Sequence, residues 1–143
     1  MALTRALVRA VTEDLLQKHL QDFLDLDALC FEKEAWDSQA FTSSLPEKFD
    51  LSLSLWEEDV LCGYAMVSRK PSWLHIHRYA VHPERQGKGY GKIILQALRQ
   101  AHPEDSIGLK VAVNNLPAIH FYLSKGFVFT AQSNGYYTLL LTP

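Results

Sequence analysis

The sequence predicts an α/β (α+β) fold: a mixed, largely antiparallel twisted sheet of about seven strands flanked by about four helices. Period-two alternation in "LSLSLW" at 51–56 and in "WLHIHRYAV" at 73–81 marks strands, whereas apolar residues three and four apart in "KIILQALRQA" at 92–101 mark a helix. The strands come in consecutive groups rather than alternating with helices, so a doubly wound parallel sheet is not expected. With 143 residues, 48% of them hydrophobic, the chain can bury one sizeable core. No repeat, low-complexity tract or linker divides it, and one domain over residues 1–143 is expected.

In chain order, "ALVRAV" at 6–11 reads as a first strand, and Thr12 with Glu13 and Asp14 behind it reads as a helix N-cap. The helix that follows carries Leu15, Leu16, Leu20, Phe23, Leu24 and Leu26. A second short helix is predicted from about Asp37 or Ser38, ended before Pro46. "LSLSLW", the turn "EED" and "VLCGYAMVS" form a hairpin, and "WLHIHRYAV" is a third extended run that places His75, His77, Tyr79 and Val81 on one face. After the helix at 92–101, in which Ile93, Ile94, Ala97, Leu98 and Ala101 share a face, "SIGLKVAV" reads as a strand. Asn115 can cap a further helix with Pro117 in its first turn, and Lys125 and Gly126 close it. "FVFTAQ" and "YYTLLL", joined by "SNG", form a closing hairpin.

A formal net charge of −2 and a pI near 6.3 offer no general attraction for nucleic acid or an anionic membrane, so neither is expected as a partner. Arg5 and Arg9 interrupt the apolar residues at the amino terminus, and no stretch reaches the roughly 20 apolar residues of a membrane span, so a cytoplasmic protein is expected. Cys30 and Cys62 stand in apolar surroundings and read as reduced thiols. His75 and His77 form an H-x-H pair, but no third ligand is signalled near them, and no metal is expected.

The chemistry concentrates in "VHPERQGKGYGKIILQALR" at 81–99. A dinucleotide fingerprint beginning at Gly87 and Gly89 would need glycine where Lys92 stands. A P-loop using Gly91 and Lys92 would need glycine at Gln86 and a hydroxyl at Ile93. What remains is Q-x-x-G-x-G from Gln86 to Gly91, between a strand and a helix. There, backbone N–H groups can converge on a pyrophosphate, with Arg85, Lys88 and Lys92 adding positive charge.

Together with "NNLPAIHFYLSKGF" at 114–127, the segment "YAVHPERQGKGYGKIIL" resembles the GNAT superfamily of N-acetyltransferases. The resemblance covers residues 51–129 well and the first 50 in outline. It implies transfer of an acetyl group from acetyl-CoA to a primary amine by direct attack in a ternary complex. It further implies that backbone amides of Gln86, Gly87, Lys88, Gly89, Tyr90, Gly91 and Lys92 hold the pyrophosphate. Main-chain groups of Tyr79, Ala80 and Val81 would lie beside the pantetheine arm, and Asn115 would hold the cofactor from the other side. Tyr122 stands where the family places the tyrosine that returns a proton to the thiolate.

An amine with pKa near 10.4 is only about a thousandth neutral at pH 7.4, so a base or a water chain assists. Family members that use a glutamate on this strand would place it at His75, so His75 is the candidate base, with His77 and water as alternatives. The acceptor is expected to be a small molecule; Glu32, Glu34 and Asp37 could attract a cationic one. "LCFEKEAWDSQAF" at 29–41 is similar to a segment of ribosomal-protein alanine N-acetyltransferases, which makes a protein N-terminus the alternative, although Lys110 and Ala112 replace that group's strand glutamate and arginine. A non-catalytic acyl-CoA sensor is the third reading. The closing hairpin at 127–141 would allow a homodimer by pairing with a second chain.

Overall fold

The computed structural model describes residues 6–143. β1 (Leu7–Ala10) leads to Thr12, whose hydroxyl accepts the Leu15 amide at 3.1 Å and starts α1 (Glu13–Lys18) as the capping pattern predicts. One helix is expected here and two form. At His19 the backbone leaves the helical range (φ −117°, ψ 20°), the ring packs on Trp56 with centroids 4.8 Å apart, and α2 (Leu20–Phe31) begins. Asp37 accepts the Ala40 amide at 2.8 Å and caps α3 (Ser38–Thr42). A further turn of helix, α4 (Lys48–Leu51), takes up Leu51, so β2 (Leu53–Glu57) starts later than the alternation suggests. The reason for this turn is Lys48, which is only 1% exposed: its ammonium donates to the carbonyls of Ala40, Phe41 and Ser43 at 3.2, 2.6 and 2.7 Å and closes the open end of α3.

β3 (Val60–Arg69), β4 (Leu74–Val81), β5 (Ile107–Ala112), β6 (Val128–Ser133) and β7 (Tyr136–Leu141) complete one seven-stranded sheet of order β1-β2-β3-β4-β5-β7-β6. Every neighbouring pair is antiparallel except β4 and β5, which are parallel. The mixed, mostly antiparallel sheet agrees with the sequence, but among the described residues six α-helices stand where about four are expected. The difference arises from the break at His19 and the turn around Lys48.

The sheet is covered on both faces. Against one, α1, α2 and α3 pack Leu16, Phe23, Leu26 and Phe41 onto Trp56, Tyr64 and Met66. Against the other, α5 (Tyr90–Ala101) and α6 (Leu116–Ser124) pack Ile94, Leu95, Leu98 and Ile119 onto Val67, Ile76 and Leu109. The buried stripe of α5 runs through Tyr90, Gly91, Ile94, Leu95 and Leu98, rotated from the expected face so that Ala101 is exposed. The terminal strand β6 is exposed along its whole length. Among the described residues, no helix is long and apolar enough to cross a membrane.

Candidate active site

Two departures from regular strand geometry create the site. β4 and β5 pair only at Leu74 with Ile107 and His75 with Gly108, although β4 continues to Val81 and β5 to Ala112. Beyond His75 the strands separate, and the backbone of Tyr79, Ala80 and Val81 on that side faces an opening instead of a strand. The second departure is a bulge. Met66 pairs with Arg78 but Val67 pairs with Ile76, so His77 is an extra residue in β4. This corrects the expected shared face of His75, His77, Tyr79 and Val81. Past the bulge, Tyr79 and Val81 join the core beneath α5, while Arg78 reaches back to α2.

Between the unpaired end of β4, the head of α5 and α6 lies a cavity of about 620 Å³, a size suited to a small ligand. Tyr79, Ala80 and Val81 form one wall, and Gln86, Gly87, Gly89, Tyr90, Gly91 and Lys92 form its end. Asn115 and Tyr122 close it from α6. Gly87 (φ +79°) and Gly89 (φ +86°) occupy the left-handed region, and a Cβ on either would meet no atom of the described residues within 4 Å. The loop thus presents bare backbone to open space at the start of a twelve-residue helix, which suits a phosphate group. Gly91 is closely packed instead. A Cβ there would come within 3.3 Å of the Phe121 ring, and Gly91 also offers its carbonyl to the Tyr79 hydroxyl, so the first turn of α5 is clasped between β4 and α6. Asn115 caps α6 by accepting the Ala118 amide at 3.3 Å.

Lys88 is exposed and does not line the cavity. Arg85 does, but its charge is not free as the sequence suggests, because its guanidinium lies 2.5 Å from a Glu57 carboxylate oxygen. Asp37, a candidate for attracting a cationic acceptor, serves as the α3 cap, while Glu32 and Glu34 are exposed.

Tyr122 and Tyr79 face each other with ring centroids 6.2 Å apart, and they differ in one respect. The Tyr79 hydroxyl is engaged by Gly91, whereas burial alone, with no hydrogen-bonding or charged partner among the described residues, pushes the Tyr122 hydroxyl above its ordinary range. Tyr122 is thus a protonated phenol on the cavity wall.

His75 does not fit the role of base. It is 9% exposed and does not line the cavity. Burial, then His77, Lys70 and Lys110, lower its pKa from 6.5 to about 4. Its Nδ1 accepts the Trp73 indole N–H at 3.0 Å, so in the neutral ring the proton is on Nε2. His77, also shifted downward by burial, lies 2.6 Å from the Ser68 hydroxyl. A consequence can be measured. The unfolded chain protonates His75 below 6.5 while the folded one resists until about 4, so this group's contribution to stability is complete above 6.5 and is lost as pH falls through that window. His75→Gln is expected to flatten the fall in melting temperature between pH 7 and 4.5. A fall as steep as the unaltered chain's would exclude the imidazole as its cause.

The residues that sequence reasoning missed belong to the wall toward α2. Cys30 and Phe31 line the cavity, and the Cys30 thiol and the Gln86 side-chain Nε2 both donate to the Val81 carbonyl, at 3.4 and 3.0 Å. Beneath them Asp27, with 0% exposure, accepts from Arg78 at 2.9 and 2.8 Å, from the Trp36 amide at 2.6 Å and from the Tyr64 hydroxyl. The Arg78 guanidinium lies 3.5 Å from the centre of the Phe31 ring. No spacing signals this cluster, because Arg78 is 51 positions from Asp27.

Residues 20–127 match the model of the acetyltransferase (GNAT) family. The chain belongs to the GNAT family. An N-alpha-acetyltransferase RimI of Mycobacterium tuberculosis is 28% identical over 108 residues, which are 73% of this chain and 68% of that protein. An uncharacterized protein of Mycobacterium leprae is 31% identical over 96 residues, 64% of this chain, and the match spans only 27% of that longer protein. Solved structures share the GNAT fold along nearly the whole chain. The ribosomal-protein-S18-alanine N-acetyltransferase of Escherichia coli superposes with a TM-score of 0.79 at 18% identity, covering 96% of this chain and 93% of that one. A PaiA N-acetyltransferase of Thermoplasma acidophilum in complex with coenzyme A gives 0.82 at 12% identity, covering 98% and 100%.

Proposed function

We propose that this GNAT chain is an N-acetyltransferase that moves an acetyl group from acetyl-CoA to a primary amine by direct attack in a ternary complex. The observation that carries the reading is that one cavity gathers the glycine loop, Asn115 and Tyr122. The open left-handed glycines at the head of α5 suit a pyrophosphate, and the parted strand β4 offers backbone to an extended arm. In this reading the loop amides, with Lys92 beside them, hold the pyrophosphate, and Asn115 holds the cofactor from α6. When bound, acetyl-CoA supplies an activated thioester carbonyl and a thiolate leaving group.

Tyr122 then donates a proton to the departing sulfur. A thiol pKa near 8.5 makes this assistance modest, at the low end of general-acid effects. Tyr122→Phe is expected to lower kcat by about 10²-fold with little change in the KM for acetyl-CoA. An unchanged kcat would remove Tyr122 as the acid. Water relieves the amine of its proton, because the His75 lone pair at Nδ1 is occupied by Trp73.

The acceptor in this reading is a small-molecule amine, since Lys110 and Ala112 occupy the β5 positions where ribosomal-protein alanine N-acetyltransferases resemble this chain but carry glutamate and arginine. A protein N-terminus is the second reading, favoured by the N-alpha-acetyltransferase relative. A panel of polyamines, amino acids and N-terminal peptides, followed by release of free coenzyme A thiol, tests both. Release with the peptides alone overturns the small-molecule reading. No release with any amine, while acetyl-CoA still raises the melting temperature, turns the assignment to an acyl-CoA sensor.

A further inference from the structure

A carboxylate on β2 holds both ends of the glycine loop. Glu57 accepts on a single oxygen, Oε1, from Arg85 Nε at 2.5 Å and from the Tyr90 hydroxyl at 3.0 Å, with the Cys62 thiol 3.4 Å from the same oxygen. Arg85 ends the 3₁₀ turn before the loop, and Tyr90 is the first residue of α5. The two residues that bracket Gln86 to Gly89 are therefore tied to one atom lying 28 and 33 positions earlier in the chain.

Inside the loop the Gln86 side chain bonds the Val81 carbonyl, but the glycines have no such anchor. Gly87 and Gly89 carry no side chains, sit at positive φ and have no atom of the described residues within 4 Å of where a Cβ would be, so none of those residues packs against them from inside the cavity. A glycine segment of this kind loses much conformational entropy when it is ordered. If the ends are fixed beforehand, less of that cost falls on ligand binding. We propose that Glu57 is the positioning residue of the cofactor loop: by holding Arg85 and Tyr90 at a set separation it makes the amides between them converge, without itself touching the cofactor. This rests on the reading above, in which the loop receives acetyl-CoA.

The contacts argue against a purely electrostatic role for Arg85. Its Nε is engaged by Glu57, and the same oxygen receives the uncharged Tyr90 hydroxyl and the Cys62 thiol. Neutralisation of one arginine would not require that convergence, whereas a clamp on both loop ends does.

The test compares the full chain with Glu57→Gln, which keeps an acceptor for Tyr90 but loses the ion pair, and with Glu57→Leu, which loses both. Calorimetric Kd and KM for acetyl-CoA are expected to rise about tenfold in Glu57→Leu and less in Glu57→Gln, with kcat held within about twofold. Amide hydrogen exchange in the free protein should quicken at residues 86–91 and not across the sheet. A merely structural role would change the melting temperature and leave Kd and the local exchange as they were. Unchanged or tighter binding overturns the proposal, the latter by showing that Glu57 withholds Arg85 from the pyrophosphate. If Glu57→Leu does not fold, Glu57→Gln combined with Tyr90→Phe gives the same reading. Failure of the unaltered chain to bind acetyl-CoA overturns the functional reading itself, whereas binding by the unaltered chain with no loss in the variants overturns the positioning role alone.

Discussion

Asp27→Ala is expected to destabilise the protein by about 3–5 kcal/mol, measured as a shift in the midpoint of chemical denaturation. The residue is fully buried and its side chain accepts four hydrogen bonds, two of them from Arg78. Removing it leaves a guanidinium that is 15% exposed without its counter-charge, and a Tyr64 hydroxyl without an acceptor. The cost of the substitution is therefore mostly the desolvation of what remains, rather than the net worth of the pair. The double variant Asp27→Leu with Arg78→Met should recover much of the loss, because neither charge is then orphaned. A loss below about 1 kcal/mol in the single variant would mean that water reaches Arg78 and Tyr64 and that the cluster is not sealed. Catalysis should respond as well, since Arg78 supports the Phe31 ring on the cavity wall.

Gly89→Asp is expected to weaken acetyl-CoA binding by about 10²-fold, read by titration calorimetry on folded protein. Two effects combine. The position stands at φ +86°, where a side chain costs about 1–2 kcal/mol, and the new carboxylate enters the open space at the head of α5, where in the proposed reading it would meet the pyrophosphate and compete for the same amides. Gly89→Ala separates them, because alanine carries the backbone strain without the charge. It should lower stability while weakening binding far less. Undiminished affinity in a folded Gly89→Asp variant would remove the loop as the pyrophosphate site.

These two positions lie at opposite ends of legibility. The turn at Gly89 could be read from the sequence because it is local: three glycines between a period-two run and a helical run predict a loop that starts a helix, and the nucleotide fingerprints fail at Lys92 in one case and at Gln86 and Ile93 in the other. The Thr12, Asp37 and Asn115 caps were legible for the same reason, each bonding an amide three positions away. Asp27 was not legible, since an aspartate on a helix reads as solvated and its partner lies 51 residues further on. Glu57 reads as part of a turn, and only the folded chain brings it to Arg85 and Tyr90.

The histidines fail in a more instructive way. His75, His77, Tyr79 and Val81 alternate without interruption, so periodicity puts them on one face. A bulge leaves that pattern of residue types intact while reversing every side chain beyond it. Likewise, that a histidine can act as a base follows from its ordinary pKa, but the pKa of about 4 at His75 is a property of its burial and of His77 and two lysines brought near it.

The sequence by itself determined the mixed sheet, the caps, the glycine loop and the family to which the chain belongs, because each depends on contacts within a few residues or on a motif with fixed spacing. Tertiary structure alone decided where β4 and β5 part, which way β4 faces after His77, which tyrosine hydroxyl Gly91 engages and which carboxylates hold the site. The physical reason is that strand separation, desolvation and the pairing of buried charges are set by groups far apart in the chain, and their energies exist only once folding has brought those groups together and excluded water.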